Sequence, residues 1–454
     1  MLWLLATPLL YLTLTAAQQV GNLQPETHPG LQWTQCTTNG NCSKIDGELT
    51  LDANWRWLHK IDDYRSCYEG QNWNAGVCNS DANCTAICAL EGAQYKEVYG
   101  VVAGNDSFSQ RLRTNFEFAY NIGSRLFLLE SKNRYQTFTL LNNELAFDVD
   151  LSTVECGINS ALFFVPMDPD GGQARFPTNK AGAEYGTGFC DSTCTRELKF
   201  IGGTANMEGW SPSATDEFGG KGNRGSCCPQ LNVWTSNAHS FALSTHICPE
   251  YYVDQGFPFI CDGSECLPPN DRGEMRCDRW GCSYNPYRMG NREFYGKGKR
   301  VDTARKFTVV TRFTETNITQ FFIQDGQKID VPVPVWDGLP KEAGLSADMC
   351  GKQLEVFIER DAFGMNGGWD QNLQQLLTQP MVLSTSINVD HYAWNIWLDS
   401  TFPLEAKGEL GFERGDCIPY ENNDPFVVQN SYGNATVTWS NIRFGPIGTT
   451  VKVE

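Results

Sequence analysis

The chain has 454 residues, with 35 basic against 53 acidic side chains and a formal net charge of −18. That balance argues against nucleic acid or an anionic membrane as partner, since both are held by clustered lysine and arginine. Eighteen cysteines stand beside only five histidines, with no repeated Cys-x-x-Cys pairs at zinc-ribbon spacing, so disulfides in an oxidising compartment fit better than metal sites.

Residues 1–17 form an uncharged apolar run ending in Thr15-Ala16-Ala17, the pattern of a cleaved secretory signal peptide and too short to span a bilayer comfortably. All 18 cysteines follow it. Sequons at Asn41, Asn83, Asn105, Asn317 and Asn434 agree with a secreted, glycosylated protein. In Asn54-Trp55-Arg56-Trp57, strand alternation would place both indoles on one face and Arg56 on the other. Leu145, Phe147, Val149 and Leu151 alternate with polar residues after a turn at Asn142-Asn143, which predicts a hairpin with Thr137–Leu140. Residues 307–313, 354–358 and 435–444 also read as strands, and Asp325-Gly326 as a hairpin turn between residues 321–323 and Ile329. Leu373, Leu376 and Leu377 before Pro380 give one short helix. Tyr392, Trp394, Asn395, Trp397 and Asp399 form a second cluster of aromatic and polar residues. Such mixtures suit pyranose rings, which stack on indoles and bond to amides and carboxylates, although many of the 13 tryptophans must serve the core. With 43 glycines and 21 prolines but no Pro/Ser/Thr linker or repeat, residues 18–454 read as one all-β domain, a large sandwich with long loops.

Several stretches together carry a resemblance. They include Leu51–Trp57, Phe138–Leu141, Met167–Gly172, Tyr185–Gly188, Ser226–Cys228, Asn285–Arg288, Trp397–Thr401 and Phe444–Gly448. Through them the chain resembles the glycoside hydrolase family 7 cellobiohydrolases and endoglucanases over essentially all of residues 18–450. The resemblance implies a concanavalin-like β-jelly roll of two antiparallel sheets, with disulfide-tied loops over a groove or tunnel for a β-1,4-glucan. It implies a monomer that needs no metal or cofactor. It also implies nine bridges: Cys36–Cys42, Cys67–Cys88, Cys78–Cys84, Cys156–Cys417, Cys190–Cys228, Cys194–Cys227, Cys248–Cys277, Cys261–Cys266 and Cys282–Cys350. A further fungal bridge is absent, with Gly21 and Ala89 at its positions.

The chain departs from the family at the centre. Members read Cys-Cys-Ser-Glu-x-Asp-x-Trp-Glu-Ala-Asn, with the first Glu as nucleophile, the Asp supporting it and the second Glu as acid/base. Here Cys227, Cys228, Trp234 and Asn237 hold the register, but those three positions carry Gln230, Asn232 and Thr235. Retaining hydrolysis needs two carboxyl groups about 5–5.5 Å apart; an amide and a short hydroxyl supply neither nucleophile nor acid. Two titratable residues, His246 and Asp191, match positions near this centre.

Gln for Glu and Asn for Asp keep volume and hydrogen-bonding capacity while removing charge, so binding is expected to outlast catalysis. The resemblance places Trp55, Trp57, Arg125, Asn159, Arg272, Arg288, Trp397 and Arg414 along the substrate path. Phe163 replaces a Tyr, Asn388 a stacking Trp, and Trp280 an Asp at the product end. The expectation is a secreted glucan-binding protein without hydrolysis. The alternatives are a β-1,4-glucanase with residual activity or with another carboxylate recruited, and a structural wall, coat or adhesion protein with a vestigial cleft.

Overall fold

The computed structural model describes residues 17–117, 119–249, 256–266 and 276–452; the leader expectation and Arg272 fall outside them. The architecture is a sandwich. One sheet runs, in antiparallel order, Cys42–Leu51, Ser124–Ser131, Met381–Val389, Ile158–Val165, Gln230–Ser236, Phe241–His246 and Cys282–Tyr284. The other runs Gln327–Asp330, Asn317–Gln324, Phe307–Phe313, Asn143–Asp150, Thr436–Pro446, Ser107–Arg111 and Val101–Ala103. Strand Gly30–Cys36 joins the two at one margin, antiparallel to Cys42–Leu51 and parallel to Thr436–Pro446.

Between the sheets lies an aromatic core. Trp234 is fully buried, stacked on Phe241 at 4.8 Å and meeting Phe147 of the opposite sheet at 6.4 Å; Phe147 in turn packs on Trp439 at 5.7 Å. The alternation at Leu145, Phe147 and Val149 puts these three inward. The intervening Glu144 and Asp148 are paired from the other face by Arg312 (2.9 Å) and Arg443 (3.2 Å). All nine implied disulfides are present and no cysteine is free.

The Asp325-Gly326 turn forms as expected, with both residues at positive φ (53° and 76°) joining Gln324 to its partner Gln327. The short helix before Pro380 is present at Gln374–Thr378, continuing a π-turn over Gly368–Leu373. Three expectations need correction. Thr137–Phe138 and Asn143–Asp150 are not a hairpin: Thr137 pairs with Val382 in one sheet, whereas the second strand lies in the other. Asn142, at φ 60°, makes the turn, but the chain there crosses between layers. Residues 354–358 are not a strand. They end the helix Ala347–Phe357, which Ser346 caps by accepting from the Met349 N–H (3.1 Å) and which buries Met349, Cys350, Gln353 and Phe357 at helical spacing. Only its last apolar cluster was read. Finally, Trp55-Arg56-Trp57 is a turn, with Trp55 N–H donating to Asp52 O (3.1 Å) and Arg56 N–H to Ala53 O (3.2 Å). Arg56 is a buried post paired with Glu26 (2.5 Å) and held by Thr50 and Leu51 O.

Candidate functional site

The outward face of the first sheet is the floor of the site. Opposed in register across it stand Arg125, Ser386, Ala161, Thr235 and Ala242, and beside them Ser384, Phe163, Asn232 and Ser244. Strict alternation from Gln230 and Asn232 would put Trp234 on this face. A bulge intervenes: register shifts between Leu162 and Phe163 on one side, and between Asn232 and Thr235 on the other. The extra residue returns Trp234 to the core and brings Thr235 onto the floor. Positions 230, 232 and 235 thus share one surface despite uneven spacing.

Gln230 Nε2 donates to Asn232 Oδ1 (2.6 Å), and Asn232 Nδ2 to Ser244 Oγ (3.1 Å). Ser244 Oγ lies 3.3 Å from His246 Nε2, and His246 Nδ1 lies 3.2 Å from Asp278 O. The carbonyl can only accept, so Nδ1 carries the proton and Nε2 accepts from the Ser244 hydroxyl. The chain of bonds is then consistently directed and uncharged. Burial lowers the imidazole to about 4, which keeps it neutral. Two carboxyl groups in the place of Gln230 and Asn232 would have to share a proton at this separation; the amides need none. Thr235 is buried, and its Oγ1 has no hydrogen-bond partner in the protein. Phe163, also buried, packs edge-on against Phe189 at 6.4 Å.

Asp191 lies on the next loop. Its Oδ1 accepts from Thr193 N–H (2.9 Å), Thr193 Oγ1 (2.7 Å) and Thr195 N–H (3.1 Å). Burial nevertheless raises its carboxyl above the ordinary value.

The other sequence-predicted residues fall into two groups. Arg125, Asn159, Trp55, Trp57, Trp397 and Arg414 keep partial access or an unused polar atom. Arg125 is fixed by Asp52 (2.7 Å) and lies over the Phe189 ring at 3.2 Å. Asn159, opposite Asn388, has an Oδ1 without a partner. Trp55 donates to Ile122 O (3.1 Å), Trp57 to Ser66 Oγ (3.1 Å) and Trp397 to Asp390 (3.3 Å), which fixes each half-buried ring. His59 stacks on Trp57 at 4.2 Å. Arg288 forms the second group by itself. It is buried, donates to Gly411 O (2.7 Å) and pairs with Glu359 (2.6 Å), which ties it to the wall.

Several loops are tied to one another. The tip between Ser211–Pro212 and Gly220–Lys221 touches three others: Thr215 O accepts from His391, Asp216 O from Gln71 (3.0 Å) and Phe218 O from Tyr68 (3.1 Å), while Tyr120 bonds to Glu217. Sequence reasoning missed Lys199. Its ammonium donates to Asn54 O (2.7 Å), lies over the Tyr68 ring at 4.7 Å, and is lowered by burial to about 8. A lone loop lysine carries no spacing signal that would have revealed it.

A large two-sheet sandwich with long disulfide-tied loops is an architecture suited to a linear polysaccharide. The chain belongs to glycosyl hydrolase family 7, whose family model matches residues 20–451. It is similar to the cellobiohydrolase of Melanocarpus albomyces, solved in complex with cellotetraose, at 48% identity and TM-score 0.90 over 96% of this chain and 100% of that one. The family 7 cellobiohydrolase of Daphnia pulex is similar at 36% identity and TM-score 0.90, with the same coverage. The Humicola insolens endocellulase is similar at 28% identity and TM-score 0.79, over 95% and 100%.

Proposed function

We propose that this protein is a secreted family 7 member that binds a β-1,4-glucan chain in its groove without hydrolysing it. The observation that carries this reading is the uncharged Gln230–Asn232–Ser244–His246 chain, together with Thr235 at the third position. Glycosidic cleavage requires a group to attack or activate water at the anomeric carbon and an acid to protonate the leaving oxygen. None of Gln230, Asn232 and Thr235 can do either, and His246 is neutral above about pH 4. Ligand recognition asks only for shape, stacking faces and hydrogen-bonding groups, which the amides retain. Nine disulfides support passage through an oxidising compartment. The cellotetraose complex of the Melanocarpus albomyces protein supports the ligand class.

A second reading is weak hydrolysis through a recruited carboxylate, and Asp191, which bridges to Cys227 just before the Gln230 strand and whose carboxyl burial raises, is its carrier. Turnover of a chromogenic β-lactoside by wild type and Asp191→Asn separates the two. Binding alone gives no release from either protein. Recruitment gives release from wild type that disappears in the variant.

A further inference from the structure

The fold separates the five sequons. Asn83 lies in the helix Asp81–Ile87, where the Thr85 hydroxyl is buried between Asp81 O (2.6 Å) and the Ala205 N–H (2.8 Å). Asn317 opens a strand, and its Oδ1 accepts from Thr314 Oγ1 (2.9 Å). Asn41 sits in the loop closed by the Cys36–Cys42 bridge. Asn434 and Asn105 are exposed and lie outside helix and strand. What sets Asn105 apart is its surroundings. It is the middle of the tip, residues 104–106, that joins Val101–Ala103 to Ser107–Arg111. Gln32 N–H donates to Asn105 O (2.8 Å) and Asn105 Nδ2 to Gln32 Oε1 (2.9 Å), so the tip is fixed and its amide nitrogen is aimed at Gln32. Gln32 and Asn105 both line an open groove of about 1160 Å³ at the margin where Gly30–Cys36 joins the sheets. None of the residues assigned to the floor lines it.

This groove runs against an unblunted sheet edge. Val101–Ala103 ends the second sheet, pairing with Ser107–Arg111 on one side and with no strand on the other among the described residues. Val101 N–H is taken by Tyr95 O (2.8 Å), but Val102 stands 47% exposed, and all three residues line the groove. The opposite edge, Gln327–Asp330, carries the Lys328–Asp330 ion pair (2.6 Å), the charged blunting that keeps an edge from pairing with another chain. Val101-Val102-Ala103 has neither charge nor proline, so its protection has to come from outside the sheet.

We propose that Asn105 carries an N-linked glycan whose first sugars lie in this groove and cover the edge strand. This rests on the secreted reading above. In the transfer, the bond from Nδ2 to C1 of N-acetylglucosamine forms, the C1–O bond to a polyprenyl diphosphate donor breaks, and one amide proton leaves. The second amide proton remains for Gln32. The mixed lining suits a neutral, hydroxyl-rich chain: Gln94, Lys96 and Lys132 donate, and Asp46, Glu48 and Glu97 accept. The glycan then does for this edge what Lys328 and Asp330 do for the other.

Peptide mapping of protein secreted by a eukaryotic host, with N-glycosidase cleavage in heavy-oxygen water, reads the site. Asn105 should be modified in wild type and Ser107→Thr. It should be bare in Ser107→Ala, which keeps the asparagine and its Gln32 contact. Light scattering across a concentration series reads the shield. The apparent mass of wild type should stay flat. That of Ser107→Ala, and of folded wild type trimmed by an endoglycosidase, should climb roughly twofold as copies pair edge to edge. A secreted wild type bare at Asn105 would overturn the proposal and leave secretion standing. Flat scattering from both the Ser107→Ala and the trimmed protein would overturn the shield. Retention of wild type in the cell with its leader intact would overturn the secreted reading as well.

Discussion

On the proposed reading, Gln230, Asn232 and Thr235 set the chemistry, since two amides in a closed hydrogen-bond chain and a short hydroxyl handle no proton. Restoring them together, as Gln230→Glu, Asn232→Asp and Thr235→Glu, should yield at least trace cleavage of a chromogenic cellobioside, because the Trp234 bulge that aims position 235 is unchanged. Gln230→Glu alone should give none, since nucleophile and acid act as a unit. Activity in the single variant would show that an acid is already present. Trp57 is held in one orientation, as the proposed glucan-binding role requires. Its indole N–H is fixed by Ser66 and one face by His59, so Trp57→Ala should cost about 1 kcal/mol or more of cellohexaose affinity by titration. The resemblance made the identities at 230, 232 and 235 legible in the sequence. Their shared surface was not, because a bulge has no signature in a period-two pattern. Arg288 shows the converse: its alignment was readable, but its contacts with Gly411 O and Glu359 were visible only in three dimensions.

At the level of elements, loops are held to the sheets by small polar clamps. His239 is a clear case, with Nε2 3.1 Å from Glu155 and Nδ1 3.0 Å from Asp416, beside the Cys156–Cys417 bridge. Burial opposes its charge, but the bonds to Asp416 and Glu155 prevail and raise it to about 9. A group raised above its unfolded value of about 6.5 stabilises fully below that pH and loses the contribution as pH climbs to about 9. The melting temperature of wild type should therefore decline from pH 6.5 to 9 more steeply than that of His239→Gln, as differential scanning calorimetry would record. Parallel slopes would show that the clamp carries no such linkage. Strands with one inward face, such as Asn143–Asp150, were legible because core contact writes alternation into them. The partner of Thr137–Phe138 was not, since a turn residue at Asn142 specifies a reversal but not which sheet receives the chain. The helix over Ala347–Phe357 was lost because its buried positions are spread over three turns and include Gln353 and a disulfide cysteine.

The whole molecule is a single wrap of sheet and loop locked across long stretches of chain. Cys156–Cys417 spans 261 residues, and replacing both by serine should cost about 2–5 kcal/mol in denaturant unfolding, with the m-value checked for a change in the unfolded state. Overall architecture was legible from composition, cysteine count and family resemblance, because these constrain the entire chain at once. The central claim is that this frame has kept recognition and lost cleavage. Titration calorimetry with cellohexaose reads both in one cell. The prediction is a saturating isotherm in which each injection's heat returns to baseline and the oligosaccharide is recovered uncut. A sustained heat after each injection, with cellobiose accumulating, would contradict it, and so would the absence of any binding heat.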